Sequence, residues 1–329
     1  MAIYPKNERG VALILTITLI GLIVILTLQF SKSIRAGLYE TANFDDDVRL
    51  GAIAKSGFNC ALAVLYEDDA DVDSLRDDWA ELKTYSSQSA AMFDDGAFDT
   101  DVTDLSGKIQ INKLIYTSGE KKGEFNPDQK GILTRLLENK PFNLKDDQIE
   151  GILDAIKDWI DEDDEVTGFG GAEDSYYQSL DKPYSCRNAP LESPDELLLI
   201  KGITPEFYYG TSDIPGISNY LTTVQGDGRI NFNTASAVVL EALSENLDST
   251  MVEEIVDYRN DEKNDLSKSD WYKSALGTGE DYIDSRLITI KSSFFEIISK
   301  GVRDSRTKGI TGVVKRNGKK LTVLSWKFS

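Results

Sequence analysis

K-N-E-R-G (Lys6–Gly10) runs straight into V-A-L-I-L-T-I-T-L-I-G-L-I-V-I-L-T-L (Val11–Leu28), and how this junction is read decides the fold. There is no charge from Val11 to Leu28, and Gln29, Phe30 and Ser31 add none before Lys32. At about 1.5 Å per residue the run spans about 27 Å as one helix, enough to cross a thin hydrocarbon core. A secretory signal peptide carries its cleavage site after the apolar stretch, flagged by small residues. Here the plausible scissile landmark, Arg9-Gly10, lies before it. A cut between Gly10 and Val11 removes ten residues and leaves the apolar helix as the new N-terminus. The plainer alternative is an uncleaved single-span anchor. Lys6 and Arg9 precede the span but Lys32 and Arg35 follow it, so charge alone orients it weakly.

At 329 residues and net charge −20, the chain is long enough for two domains beyond the anchor. Charge is unevenly placed. Thr117–Ser285 holds 36 acidic and 15 basic residues, whereas Arg286 to the end holds 2 acidic and 11 basic. This shift marks an acidic module followed by a differently built tail. It also speaks against nucleic-acid binding by the middle, because phosphate recognition needs a positive footprint. The chain has no histidine, which removes Ser-His-Asp and Cys-His catalysis and His-ligated zinc together. Cys60 and Cys186 are far apart and form no metal-ligand spacing. Outside the cytoplasm they could form one disulfide or remain two separately packed thiols.

Beyond the span, Val48, Leu50, Ile53, Ala54, Phe58, Ala61, Leu62 and Leu65 recur at helical steps. The spacing predicts a half-buried helix that ends near the acidic run E-D-D-A-D-V-D (Glu67–Asp73). Residues 93–116 alternate apolar with polar, which suits a pair of strands. The tail predicts three more: S-F-F-E-I-I-S-K-G-V-R, G-I-T-G-V-V-K-R and L-T-V-L-S-W-K-F, with a hairpin at Asn317-Gly318. Between these blocks the pattern is mostly helical. Gly107-Lys-Ile-Gln-Ile-Asn112 and Gly228-Arg-Ile-Asn-Phe-Asn233 echo one another, each ahead of two amphipathic helices, as a duplicated unit would. The expected class is α+β: a long helix on a small antiparallel sheet, with a large helical insertion.

The sharpest chemistry lies between Asp158 and Tyr177. Five consecutive acids, Asp161 to Glu165, crowd like charges unless solvated or neutralised by a cation. Calcium takes six to eight oxygens from a flexible, glycine-bearing loop. Gly168, Gly170 and Gly171 would leave backbone carbonyls free to turn inward. An EF-hand is excluded, since it needs glycine at Val166 and glutamate at Ala172. Composition alone leaves calcium and a solvated acidic loop both open.

K-N-E-R-G ahead of the apolar helix resembles the class III leader of type IV pilins and type II secretion pseudopilins, which prepilin peptidase cuts after a glycine. Most of those proteins carry glutamate at the fifth mature position; here it is Leu15. In the middle of the chain stand D-W-I-D-x-D (Asp158–Asp163), G-A-E-D-x-x-Y (Gly171–Tyr177), Pro183-Tyr184, Asn188, Pro190-Leu191 and E-L-L-L-I-K-G-I (Glu196–Ile203). This order resembles the core motif of the K-type minor pseudopilins, the subunit in which the glutamate is habitually lost. One departure is Lys182 where a second proline usually precedes the tyrosine.

The resemblance implies five segments. They are a leader (1–10), a transmembrane helix (11–31), a stalk helix with the first strands of a pilin-like domain (32–116), an inserted acidic helical domain (117–285) and the remaining strands (286–329). It implies a non-enzymatic subunit at the pseudopilus tip, anchored once in the inner membrane with its body in the periplasm. Its partners would be the I-type and J-type minor pseudopilins, other pseudopilus subunits and prepilin peptidase. It further implies a structural calcium ion held by Asp161, Asp163, Asp164, Glu173 and Asp174. Two other readings are a DNA-uptake protein and an anchored carboxylate hydrolase. The first would use Gly228–Leu243 as a helix-hairpin-helix; the plainer account is that Asn231, Asn233 and Thr234 satisfy a turn and cap a helix near Ala235. The second would use the acids for proton transfer, although no nucleophile motif accompanies them.

Overall fold

The computed structural model describes residues 8–328; Lys6 and the rest of the first seven residues of the leader lie outside them. The chain opens with α1 (Glu8–Glu67), one continuous helix of 60 residues. No proline interrupts it, and the side chains from Val11 to Phe30 are exposed along a length sufficient to cross a membrane. Next come α2 (Asp78–Ser86), β1 (Ala97–Asp104), β2 (Ile109–Gln110), α3 (Pro127–Glu138), α4 (Asp146–Ile160), α5 (Asp174–Tyr177) and α6 (Pro205–Tyr209). They are followed by β3 (Leu221–Thr222), β4 (Ile230–Asn231), α7 (Ala237–Ala242), α8 (Ser249–Asn260), α9 (Tyr272–Ala275) and β5 (Ile288–Thr289). The chain closes with β6 (Phe294–Arg303), β7 (Arg306–Asn317) and β8 (Lys320–Phe328).

β1, β6, β7 and β8 form one antiparallel sheet in that order. The distal part of α1 lies across it, burying Leu50, Ile53, Ala54, Phe58, Ala61 and Leu65 against Val102, Phe295, Ile297, Ile310 and Val314. Burial of each large side chain contributes about 1.5–3 kcal/mol. Val48 does not join this face and stays exposed, while Leu62 is half-buried at its margin. Helix and sheet approach closely at Gly301, where a Cβ would run into the Leu50 carbonyl. Basic tail residues grip the distal part of the helix at both of its ends. Arg303 and Arg306 pair with Asp46, and Lys308 pairs with Asp47. At the far end the Lys319 ammonium donates to the carbonyls of Tyr66 and Glu67, the last turn of a helix that has no basic residue of its own there.

Four expectations change. G-K-I-Q-I-N-K-L does not supply a second strand of this sheet. Only Ile109 and Gln110 are extended, and they pair in parallel with β3, because Ile109, Ile111 and Leu114 are drawn into the insert's own core. One sheet strand therefore precedes the insert and three follow it. The insert's core runs from Ile109 to Ile288 rather than from 117 to 285. The insert is also less helical than its pattern suggests, with largely irregular stretches from Asp161 to Thr204, broken by the single-turn α5, and from Asp261 to Leu287, broken by the single-turn α9. At the last hairpin Asn317 pairs with Lys320, so the loop is Gly318-Lys319, with Gly318 supplying the positive φ of 57° at its first position.

The repeat is real in space. β2 leads into α3 and α4 and returns as a parallel partner in β3, while β4 leads into α7 and α8 and returns in β5. The insert meets the sheet at a buried polar node. Asp104, at the end of β1, accepts from Ser292, from Thr234 Oγ1 at 2.6 Å, from Asn231 Nδ2 at 3.2 Å and from the Ser106 N–H at 2.7 Å. Asp73 accepts from the Ser292 N–H at 2.6 Å and pairs with Arg316, whose other arm reaches Asp68 at 2.7 Å. Asn231 and Asn233 are thus committed inside the fold, and α7 is capped by Ser236 rather than starting at Ala235.

Burial raises the Asp104 carboxyl above its ordinary range and pushes Asp73 up to about 7 against the pull of Arg316. Both groups hold their proton more tightly folded than unfolded. Stability from them is therefore present at low pH and is lost as pH rises past the ordinary carboxylate range. The melting temperature of the full chain in detergent is expected to fall between about pH 5 and pH 7, with a visibly smaller fall in Asp104→Asn. An unchanged slope in that variant would remove Asp104 from the account.

Candidate metal centre

α4 is amphipathic, with Ile149, Ile152, Leu153, Ile156, Trp159 and Ile160 buried, and it stops at Asp161. The chain thus delivers its acidic run to the C-terminal end of a helix, where the macrodipole already disfavours negative charge. The loop then folds back along the helix. A Cβ at Gly170 would overlap Gly151 Cα, one at Gly168 would meet the Asp154 carboxylate, and one at Gly171 would meet Asp158. These glycines serve close approach to α4. The expectation that they turn carbonyls inward is not met at Gly171, whose oxygen accepts from Lys201 Nζ at 3.1 Å. Beneath the loop, Tyr177 packs edge-on to Trp159 with centroids 5.0 Å apart, and Tyr184 lies 5.3 Å from Tyr177. Tyr184 also donates its hydroxyl to the Leu199 carbonyl at 2.7 Å, which fixes the path after Lys182-Pro183.

This folding brings one carboxylate oxygen each from Asp161, Asp163 and Glu173 within 4.8 Å of one another. Asp161 and Glu173 are each only 2% exposed. Asp161 Oδ1 and both oxygens of Glu173 have no hydrogen-bond partner. An unpartnered buried carboxylate is costly, and the protein responds by holding protons. Burial, with Asp158, Asp161 and Asp164 nearby, pushes Glu173 up to about 8. Burial also raises Asp161, although Lys157 pulls the other way. A hard cation suits this donor set of convergent oxygens beside a solvent-open cleft of about 230 Å³ that includes Asp161 and Asp163.

The other two predicted ligands face elsewhere. Asp164 Oδ1 accepts from Asn188 Nδ2 at 3.0 Å, and Asp174 Oδ1 accepts from the Cys186 N–H at 3.0 Å. Sequence reasoning passed over three groups that shape the site. Asp158 accepts from the Thr167 N–H and closes the loop, Asn188 carries a positive φ of 48° and an unpartnered buried Oδ1, and Lys157 pairs with Asp161. The i, i+4 spacing of Lys157 and Asp161 was legible. A second triad, Asp68, Asp73 and Asp77, already contains the Arg316 guanidinium. Cys60 and Cys186 are free thiols packed against different cores, so no disulfide joins stalk and insert.

A four-stranded sheet on the distal half of a helix whose N-terminal half is long and apolar enough to cross a membrane, with a two-repeat insert carrying an acidic loop, defines a pilin-like class. Two family models, both for type II secretion system protein K, match residues 107–210 and 230–279. The chain is 26% identical over 323 residues to the type II secretion system protein K of Pseudomonas aeruginosa, covering 94% of this chain and 90% of that one. It is 27% identical to the Aeromonas hydrophila protein K over 62% of this chain and 61% of that relative. Its fold matches a chain from the crystal structure of the GspK–GspI–GspJ complex of enterotoxigenic Escherichia coli, with TM-score 0.67, 16% identity and coverage of 88% and 99%. Two stretches of the chain thus match protein K of the type II secretion system, and nearly its full length is similar to a protein of that name.

Gly170→Ala is expected to push the loop away from α4 and lower stability by roughly 1–3 kcal/mol, read by denaturant unfolding. The same change at Gly119, where a Cβ meets nothing but φ is +84°, tests backbone strain alone.

Proposed function

We propose that the protein acts by assembly and not by catalysis, as the tip subunit of the pseudopilus that supports export of periplasmic proteins across the outer membrane. Prepilin peptidase cuts between Gly10 and Val11, the helix from Val11 stays in the inner membrane or enters the pseudopilus core, and the body lies in the periplasm. One observation carries this reading: the insert sits at the end of the sheet farthest from the anchor. Arg303 and Arg306 meet Asp46 at the near end. The insert leaves at Asp104 and returns at Phe294, level with Asp68, Asp73 and the end of α1. A broad head there leaves no room for a further subunit stacked above. Leu15 agrees with this, because it lacks the carboxylate that would pair with a neighbouring subunit's N-terminal amine. The I-type and J-type minor pseudopilins are the proposed partners, as in the complex named for the Escherichia coli relative.

The Asp161–Asp163–Glu173 site is proposed to hold calcium, whose charge would neutralise the loop and make the insert more rigid. Asp164 and Asp174 would contribute only through atoms that do not already converge.

Two experiments test these proposals. In cells carrying the secretion system, N-terminal sequencing should find Val11 first in the wild-type chain. Gly10→Val should retain the leader and lose export of secreted proteins; normal processing and export in that variant would sink the assembly reading. Calcium at a hundred times its Kd stabilises by about 2.7 kcal/mol, roughly 5–10 °C in a domain of this size. That rise should vanish with EDTA and shrink strongly in Asp161→Ala, whereas identical curves would remove calcium.

A further inference from the structure

Lys157 is the one cation that touches the acidic loop's buried ligands among the described residues. It stands one turn before Asp161 on α4, its ammonium 2.7 Å from Asp161 Oδ2 and 2.8 Å from Thr167 Oγ1. Its side chain is 15% exposed, so this contact is screened far less than a surface pair. Lys157 therefore uses one oxygen of Asp161 and leaves the other, Oδ1, buried without a hydrogen-bond partner. Its bond to Thr167 ties the returning loop to the helix. The ammonium also lies in the last turn of α4, where positive charge is favoured.

Resting on the calcium reading above, we infer that Lys157 is a built-in counter-ion that holds the acidic loop folded without a metal and competes with the divalent cation for it. Two consequences of opposite sign follow. Without metal, the ammonium offsets part of the repulsion among Asp158, Asp161, Asp163 and Glu173, so its loss should loosen the loop. With metal, a fixed positive charge about 6 Å from a divalent ion weakens binding about tenfold even at the dielectric constant of water, and more in a drier site. Lys157 thus exchanges affinity for a loop that keeps its shape when the ion leaves. A lysine that merely packed against α4 would move stability alone, and a lysine that helped form the site would weaken calcium binding when removed.

The test uses the full chain in detergent, with calcium as the probe, titrated by calorimetry and paired with melting curves in EDTA. Lys157→Gln keeps a donor for Asp161 and removes the charge. It should melt lower than wild type in EDTA yet bind calcium at least tenfold tighter. Lys157→Arg, which keeps the charge, should stay within about threefold of wild type. Lys130→Gln makes the same change in net charge outside the cluster and should shift affinity far less. Equal or weaker calcium binding by Lys157→Gln, with calcium still bound by wild type, overturns the competitor role and leaves the metal site standing. Absence of calcium binding in every variant overturns both.

Discussion

Everything beyond the apolar half of α1 depends on how a buried carboxylate node is satisfied. Asp73 after α1, Asp104 at the end of β1, Ser292 before β6 and Asn231 in the second repeat come from four distant parts of the chain and meet at one point. Each polar group there is buried, so each must find its partner inside the protein. Arg316 supplies the one formal positive charge at the point of contact with Asp73. Without it the Asp73 carboxyl would hold its proton still more tightly, because Arg316 is what pulls against the effect of burial. The node therefore fixes where the insert stands on the sheet, and through the sheet where it stands relative to the anchor.

The lopsided charge of the sequence has a structural meaning. The basic tail is the lining of the acidic stalk: Arg303, Arg306, Lys308, Arg316 and Lys319 all engage acids or terminal carbonyls of α1 and the turn after it. The insert keeps most of its negative charge unmatched. Two carboxylate triads sit on this one chain in opposite states. The Asp68–Asp73–Asp77 triad is filled by a guanidinium that cannot leave, while the Asp161–Asp163–Glu173 triad has only a lysine on its flank. The first is closed by its own guanidinium, while the second keeps buried carboxylate oxygens without a hydrogen-bond partner.

Much of this was legible because periodicity survives folding. The apolar steps from Leu50 to Leu65, the three tail strands and the echo of Gly107–Asn112 in Gly228–Asn233 each correspond to an element or repeat in the structure. What failed was the sorting of short alternating stretches. Residues 107–114 alternate as a strand would, yet their apolar side chains belong to a core assembled from residues up to 180 positions away, which no local pattern contains. At the acidic loop, the resemblance supplied five candidate ligands, and carboxylate oxygens of three of them, Asp161, Asp163 and Glu173, lie within 4.8 Å of one another. It could not separate Asp164 and Asp174, because whether a carboxylate faces inward depends on where Asn188 and the Cys186 backbone come to rest. The glycines were recognised, but for the wrong reason, since close backbone packing leaves no trace in one sequence.

The neighbouring entry and exit of the insert also bear on how the chain reaches its fold. Asp104 and Phe295 are paired across the sheet, yet 190 residues separate them along the chain. Closing a flexible loop of that length costs on the order of 5 kcal/mol in entropy before any strand contact is gained. Once the insert has its own core, its ends are already side by side and most of that loss has been met by its internal packing. The β1–β6 pairing is therefore expected to form after the insert, whereas β6, β7 and β8 are joined by short hairpins and need no such closure. A lesion in the insert would be expected to appear first as a sheet that closes slowly.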